Sequence, residues 1–315
     1  MLTFYSANTD GRLAATDTLH THGLVYLINP SPEEIQRTAD LLRLPATFLT
    51  DSLDRNERPR IEHHHDNVLM VLNAPTAGDA DGGPGTVPYR THPLGLILTP
   101  QHTLVVSRIA LPLLDQLLDS GALTPGALQT RFMLQLFRAV AQSYDRSLLE
   151  INQQISGLQR KLRVAYHNQE LFALINLNKS LVFFSTALSA MTILYKRIMA
   201  GHDLAIDPAD RTRMAEILVD LEQSAEITEI RREGLSNLMD AYAAIIHNNL
   251  NGVLKLLTTL AILLVIPTMV GSVFSMNVAL PYEEEWISTI VIGVGMVLVS
   301  AALMALLYKK KYLRL

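Results

Sequence analysis

The sequence predicts an α/β head, a long helical stalk and a C-terminal two-helix transmembrane hairpin. Three observations predict that order. Short apolar or alternating runs, separated by turn residues, occupy the first third of the 315 residues. Apolar residues at helical spacing, almost free of Gly and Pro, follow to about residue 250. Beyond that point no charged residue occurs from Leu256 to Tyr282, or from Trp286 to Tyr308, and about 20 apolar residues suffice to cross a bilayer. The composition agrees: 49% hydrophobic residues, 18% charged residues and a mean hydropathy of +0.21.

The head is predicted over residues 1–122. Leu24–Ile28, Val68–Leu72, Leu94–Leu98 and Thr103–Ser107 read as strands. Ser31-Pro32-Glu33-Glu34 is a capping box with Pro at the first helical position, so a helix starts there. Asp79 to Gly85 reads as a loop. His63-His64-His65 invites a metal reading. On a strand, however, His63 and His65 share one face and His64 takes the other, and two ligands are not a site.

A stalk is predicted over 123–250. Helical spacing runs from Leu128 to about Leu162, from Leu171 to about Met199, and from Asp210 onward with no stop before the first uncharged run. A helix from Asp210 to Phe274 would be roughly 100 Å long at 1.5 Å per residue. Such a helix needs neighbours along its length, which a bundle of identical stalks supplies.

The hairpin comprises a pore-lining helix at 251–277, an acidic loop at 278–285 and a second helix at 286–308, followed by a basic tail at 309–315. Lys309, Lys310, Lys311 and Arg314 place that tail in the cytoplasm by the positive-inside rule. An even number of crossings then makes both termini cytoplasmic, in a multi-pass protein of the cytoplasmic membrane. Trp286 and Tyr308 stand where an aromatic belt belongs. The opening residues carry no basic or long apolar leader, so no cleavable signal is expected. The net charge of −4 argues against a nucleic-acid partner. The absence of Cys removes thiolate metal sites and Cys nucleophiles. No nucleotide-binding glycine motif or nucleophile elbow is present, so no enzyme and no organic cofactor are expected.

Steps of three and four along the first hairpin helix join Asn251, Leu254, Thr258, Ala261, Val265, Thr268, Ser272 and Ser275. The stripe is small or polar except for Leu254 and Val265. It suits a helix–helix packing face or a pore wall with Leu254 and Val265 as apolar constrictions. Pro267 removes a backbone bond, which kinks the helix or frees a carbonyl. Glu283, Glu284 and Glu285, repeated around an oligomer, would concentrate cations at an entrance.

Asn248-Asn249-Leu250-Asn251, Lys255, Ile266-Pro267-Thr268 and Phe274-Ser275-Met276-Asn277-Val278-Ala279-Leu280-Pro281 resemble the first membrane helix and signature of the CorA family of magnesium and cobalt channels. Asp51 to Glu62 resembles that family's acidic, Pro-Arg-containing segment before a strand, and Pro93 to Leu98 resembles its central strand. The resemblance covers essentially the whole chain. It implies a funnel-shaped homo-oligomer, a pentamer, in the lipid bilayer. This assembly would pass Mg²⁺, and with it Co²⁺ or Ni²⁺, passively down the membrane potential. It also implies a filter in which Asn277 holds a hydrated cation, with Met276 and Ser275 shaping the loop. The family's signature is Gly-Met-Asn, and here Ser275 stands at the Gly position. The resemblance further implies regulatory Mg²⁺ held between subunits by carboxylates. Asp203, Asp207, Asp210, Glu216, Asp220, Glu222, Glu226, Glu229 and Glu233 crowd the stalk, but no individual position is matched. Two alternatives stand beside this reading: transport of zinc or another divalent ion, as in the family's zinc-transporting branch, and a non-conducting scaffold or sensor that kept the fold and lost the filter.

Overall fold

The computed structural model describes residues 2–7, 13–78, 86–119, 128–164, 168–201, 204, 206–275 and 286–309. Its contacts divide the chain into two compact units, Met1–Asn237 and Leu238–Leu315.

The first unit is built on a seven-stranded sheet: β1 (Leu2–Ala7), β2 (Leu13–Thr16), β3 (Leu24–Ile28), β4 (Arg60–His64), β5 (Asn67–Ala77), β6 (Tyr89–Leu98) and β7 (Thr103–Ser107). The spatial order is β2-β1-β3-β7-β6-β5-β4. Among the described residues, only the central β3–β7 pair is parallel. The four strands expected from sequence are all present, and two keep their predicted ends. They are legible because both faces are covered, which makes them continuous apolar runs. Val25, Leu27, Leu69, Val71, Ile97, Leu104 and Val106 pack with α1 (Pro32–Leu42) and α2 (Ala46–Asp51). The alternate residues Tyr26, Met70, Leu96 and Val105 are equally buried, and α4 (Leu128–Val164) and α5 (Asn168–Met199) contact β5 and β6. A short α3 (Pro112–Asp119) precedes α4.

Local chemistry sets the ends. The Glu34 N–H donates to Ser31 Oγ at 3.1 Å, and Ser31 N–H donates to Glu34 Oε2 at 2.9 Å. That backbone bond holds the Glu34 carboxyl below its ordinary pKa. Strand β4 ends at His64, and His65 adopts φ 53° at the head of the two-residue turn into β5. His65 therefore leaves the strand alternation expected for it, and its ring meets that of His64 edge-on. Arg60, which opens β4, is gripped by Asp51 at 2.7 Å, Glu57 at 2.8 Å and Glu62. The loop expected at Asp79–Gly85 lies outside the described residues.

The sequence assigns α4 and α5 to a stalk, whereas the structure places them on the sheet. Tyr144 on α4 donates to the Asn73 carbonyl at 2.8 Å. Tyr89 donates to Glu150 at 2.9 Å and accepts from Gln154 at 3.0 Å, while its N–H donates to Ser180 on α5. Burial and the Glu150 carboxylate push the Tyr89 phenol up to about 12. Helix α5 is long and apolar enough to cross a membrane, but 44% of its most apolar window is buried inside the unit. Its hydropathy is that of a core helix.

Helix α6 runs unbroken from Pro208 to Phe274, and α7 from Trp286 to Lys309. Both meet the length and composition of a membrane span, with only 6% and 0% of their apolar windows buried. Large apolar side chains such as Leu260, Met269, Val291 and Val297 are exposed along them. A surface of that kind is at home in lipid rather than in water. The chain thus has an α/β head, a long helix and C-terminal apolar helices.

Candidate functional site

The stripe expected from sequence lies on α6. Asn251, Leu254, Thr258, Ala261, Val265, Thr268 and Ser272 are all exposed, Leu254 at 51% and Val265 at 59%. The less exposed positions of the same stretch are Gly252, Thr259, Leu263, Ile266 and Val270. At 3.6 residues per turn the two sets are centred about 150° apart. The stripe is therefore not the side of α6 that is shielded within its own chain. Thr259, only 3% exposed, marks that shielded side and was not singled out by the sequence reading. Its signal, a small polar residue one position from the stripe, is too weak to separate the two faces. The carbonyl that Pro267 deprives of a helical donor is that of Leu263, on the shielded side rather than the stripe.

Two hydroxyls of the stripe have a defined polarity. Thr268 Oγ1 donates to the Leu264 carbonyl at 2.7 Å, and Ser275 Oγ donates to the Ser272 carbonyl at 2.8 Å. A carbonyl only accepts, so each hydroxyl proton is committed to the backbone. What each oxygen presents outward is lone-pair density, an acceptor for water protons.

Ser275 replaces a residue free to take positive φ, but its backbone stays outside the left-handed region. Its N–H donates to the Gly271 carbonyl at 3.0 Å and closes the last turn of α6. Serine is unstrained there. Met276, Asn277, Glu283, Glu284 and Glu285 lie outside the described residues.

Four of the stalk carboxylates stand in separate ion pairs. Glu216 holds Arg138 at 3.0 Å, Glu222 holds Lys196 at 2.7 Å, Asp210 holds Arg213 at 3.2 Å, and Glu229 chelates Arg232. The Arg232 bond keeps the Glu229 carboxyl below its ordinary pKa. Asp203 lies outside the described residues. Among the described residues, no three His, Asp or Glu side chains gather as a metal-ligand set. The histidines of β4 and its turn accordingly form no such set.

Comparison with known proteins covers both units. The family described as "CorA-like Mg2+ transporter protein" matches residues 25–310. The cobalt/magnesium transport protein CorA of Methanocaldococcus jannaschii is 22% identical over 253 residues, covering 79% of this chain and 78% of the relative. The magnesium transport protein CorA of Helicobacter pylori is 21% identical over 292 residues, covering 90% and 88%. The complete structure of the CorA magnesium transporter from Methanocaldococcus jannaschii superposes with a TM-score of 0.84 at 18% identity, over 98% of this chain and 97% of that one. The head, the long helix and the apolar C-terminal helices are thus shared as a fold, and the match over residues 25–310 shows that this chain belongs to the CorA-like Mg²⁺ transporter family.

Proposed function

We propose that the chain is one subunit of a homo-oligomeric, pentameric channel that passes hydrated divalent cations, Mg²⁺ first, across the cytoplasmic membrane. The observation that carries this reading is the α6 stripe. It is a continuous row of small and hydroxyl-bearing side chains, interrupted by Leu254 and Val265. It is exposed along its whole length and turned away from the shielded side of the helix. Copies of α6 gathered about an axis would make this row a wall of water-accepting oxygens. Mg²⁺ loses its waters reluctantly and prefers oxygen partners, so such a wall suits the ion with its shell in place. The apolar members would close the path by dewetting. Transport is passive in this reading: the membrane potential supplies about 2.3 kcal/mol per charge per 100 mV.

Asn277 closes the path on the outer side, with Met276 and Ser275 beside it. A ring of neutral amides can bind the waters of a divalent ion without trapping it as carboxylates would. Glu283, Glu284 and Glu285 raise the local cation concentration. Regulation by cytoplasmic Mg²⁺ requires carboxylates from more than one copy, in keeping with their pairwise dispersal in the single chain. The exposed Val219 and Ile230 on α6 are apolar positions that neighbouring copies would cover.

The test is flux into liposomes of Mg²⁺, Co²⁺, Ni²⁺ and Zn²⁺. Asn277→Ala removes the amide ring without adding charge or bulk, and loss of selective uptake with an intact oligomer is expected. Ser275→Gly is expected to conduct Mg²⁺ equally or better. Wild-type flux from Asn277→Ala removes the filter role. A silent wild type whose Ser275→Gly form conducts identifies a non-conducting relative, and a preference for Zn²⁺ over Mg²⁺ reassigns the cargo.

A further inference from the structure

A cleft of about 720 Å³ opens in the first unit between α4 and α5. Gln154, Gly157, Leu158 and Lys161 line it from α4, and Phe172 and Asn176 from α5. Asn176 is only 9% exposed, yet its side-chain amide has no hydrogen-bond partner among the described residues. The bond it accepts from Ser180 Oγ, at 3.2 Å, goes to its backbone carbonyl. Gln154 spends one N–H on Tyr89 Oη at 3.0 Å, which leaves its amide oxygen as an acceptor. Phe172 is 58% exposed and presents a ring at the same cleft. Gly157 stands in mid-helix, where glycine weakens a helix. A Cβ built there meets nothing within 4 Å, so this glycine keeps one wall of the cleft open.

We propose that this cleft binds an adenine-type base, carried by a nucleoside or a nucleotide. A buried amide left without a partner is costly, and an aliphatic ligand would leave Asn176 in that state. A carboxamide offers a donor and an acceptor side by side. Its complement is a flat edge with an acceptor beside a donor, as in the ring nitrogen and amino group of adenine. The faces of such a ring suit Leu158 and the Phe172 ring, since bases stack on aromatic side chains. Charge is not the basis of selection. Lys161 is the one cation among the described lining residues, and Glu170 stands in the first turn of α5. The volume falls within the range of about 300–1,000 Å³ usual for small-molecule sites. The cleft uses none of the residues of the ion path and stands or falls apart from it.

The experiment is calorimetry and saturation-transfer NMR on the full-length protein in detergent, with empty micelles as the blank. Adenosine and AMP are the two probes. Saturable adenosine binding is expected, roughly tenfold or more weaker in Asn176→Ala, which removes the unpaired amide. Gly157→Leu fills the open wall with a better helix former. It is expected to abolish binding with the melting temperature unchanged or raised, a combination that damage to the fold does not give. AMP bound more tightly than adenosine, with the gain lost in Lys161→Gln, assigns a nucleotide. Equal affinity for the two probes assigns the nucleoside. The proposal is overturned by absence of saturable binding of either probe, or by wild-type affinity in Asn176→Ala or in Gly157→Leu.

Discussion

At Gly95 the sheet and a helix touch. A Cβ built there would lie 1.9 Å from Ser52 Oγ and 2.5 Å from Ser52 Cβ. Ser52 is buried, and its hydroxyl donates to the Phe48 carbonyl at 2.6 Å, so it has nowhere to retreat. Gly95→Ala should therefore cost about 1–3 kcal/mol through overpacking. At roughly 2–4 °C per kcal/mol for a unit of this size, the loss is readable as a lower melting temperature of the full-length protein. An unchanged transition would mean that α2 can shift without loss. The glycine stands inside an apolar run whose strand character is evident from sequence, yet its partner Ser52 lies 43 residues away in the chain. Such a contact has no local signature. Ser275 shows the opposite limit: a departure from the family signature that looks consequential in sequence is accommodated as an ordinary last turn of helix.

Among the elements, α6 is the one most legible in sequence and β4 among the least. Nothing between Pro208 and Phe274 breaks helical periodicity except Pro267, and the helix passes it. By contrast, Arg60–His64 is polar and lies at the edge of the sheet, where only part of the strand is buried, so it lacks the apolar run that announces a strand. β2, at the other edge, was hidden for a different reason: it is only four residues long and two of them are Ala, which is depleted in strands. Periodicity found α4 and α5 but not where they dock, because an amphipathic face fits a sheet as well as another stalk. On α6, Leu254 is the bulky, exposed member of the stripe nearest the N-terminal end of the hairpin. A ring of such side chains would block ions by dewetting. Leu254→Asn is expected to raise basal cation flux in liposomes. Unchanged or lower flux from a properly assembled oligomer would count against a gate at this position.

For the whole molecule, two apolar helices joined by an acidic connection and followed by a basic tail predict an orientation with both termini in the cytoplasm. With no Cys of its own, the chain is convenient for labelling. A Glu284→Cys protein should react with an impermeant maleimide added from outside; reaction only from the cytoplasmic side would reverse the topology. An α/β head, the long helix and the apolar pair could be read from composition and periodicity, whereas the third layer that α4 and α5 add to the sheet, and the number of copies that assemble, are not written in any one chain's pattern. The inward-donating hydroxyls of Thr268 and Ser275 carry a consequence for that assembly. At these two positions the wall has no hydroxyl proton to give a chloride or a phosphate. Around a pore, two rings of oxygens whose dipoles point this way would disfavour anions before any charged ring acts. This rejection would persist at high salt, where the attraction of an acidic mouth is screened away.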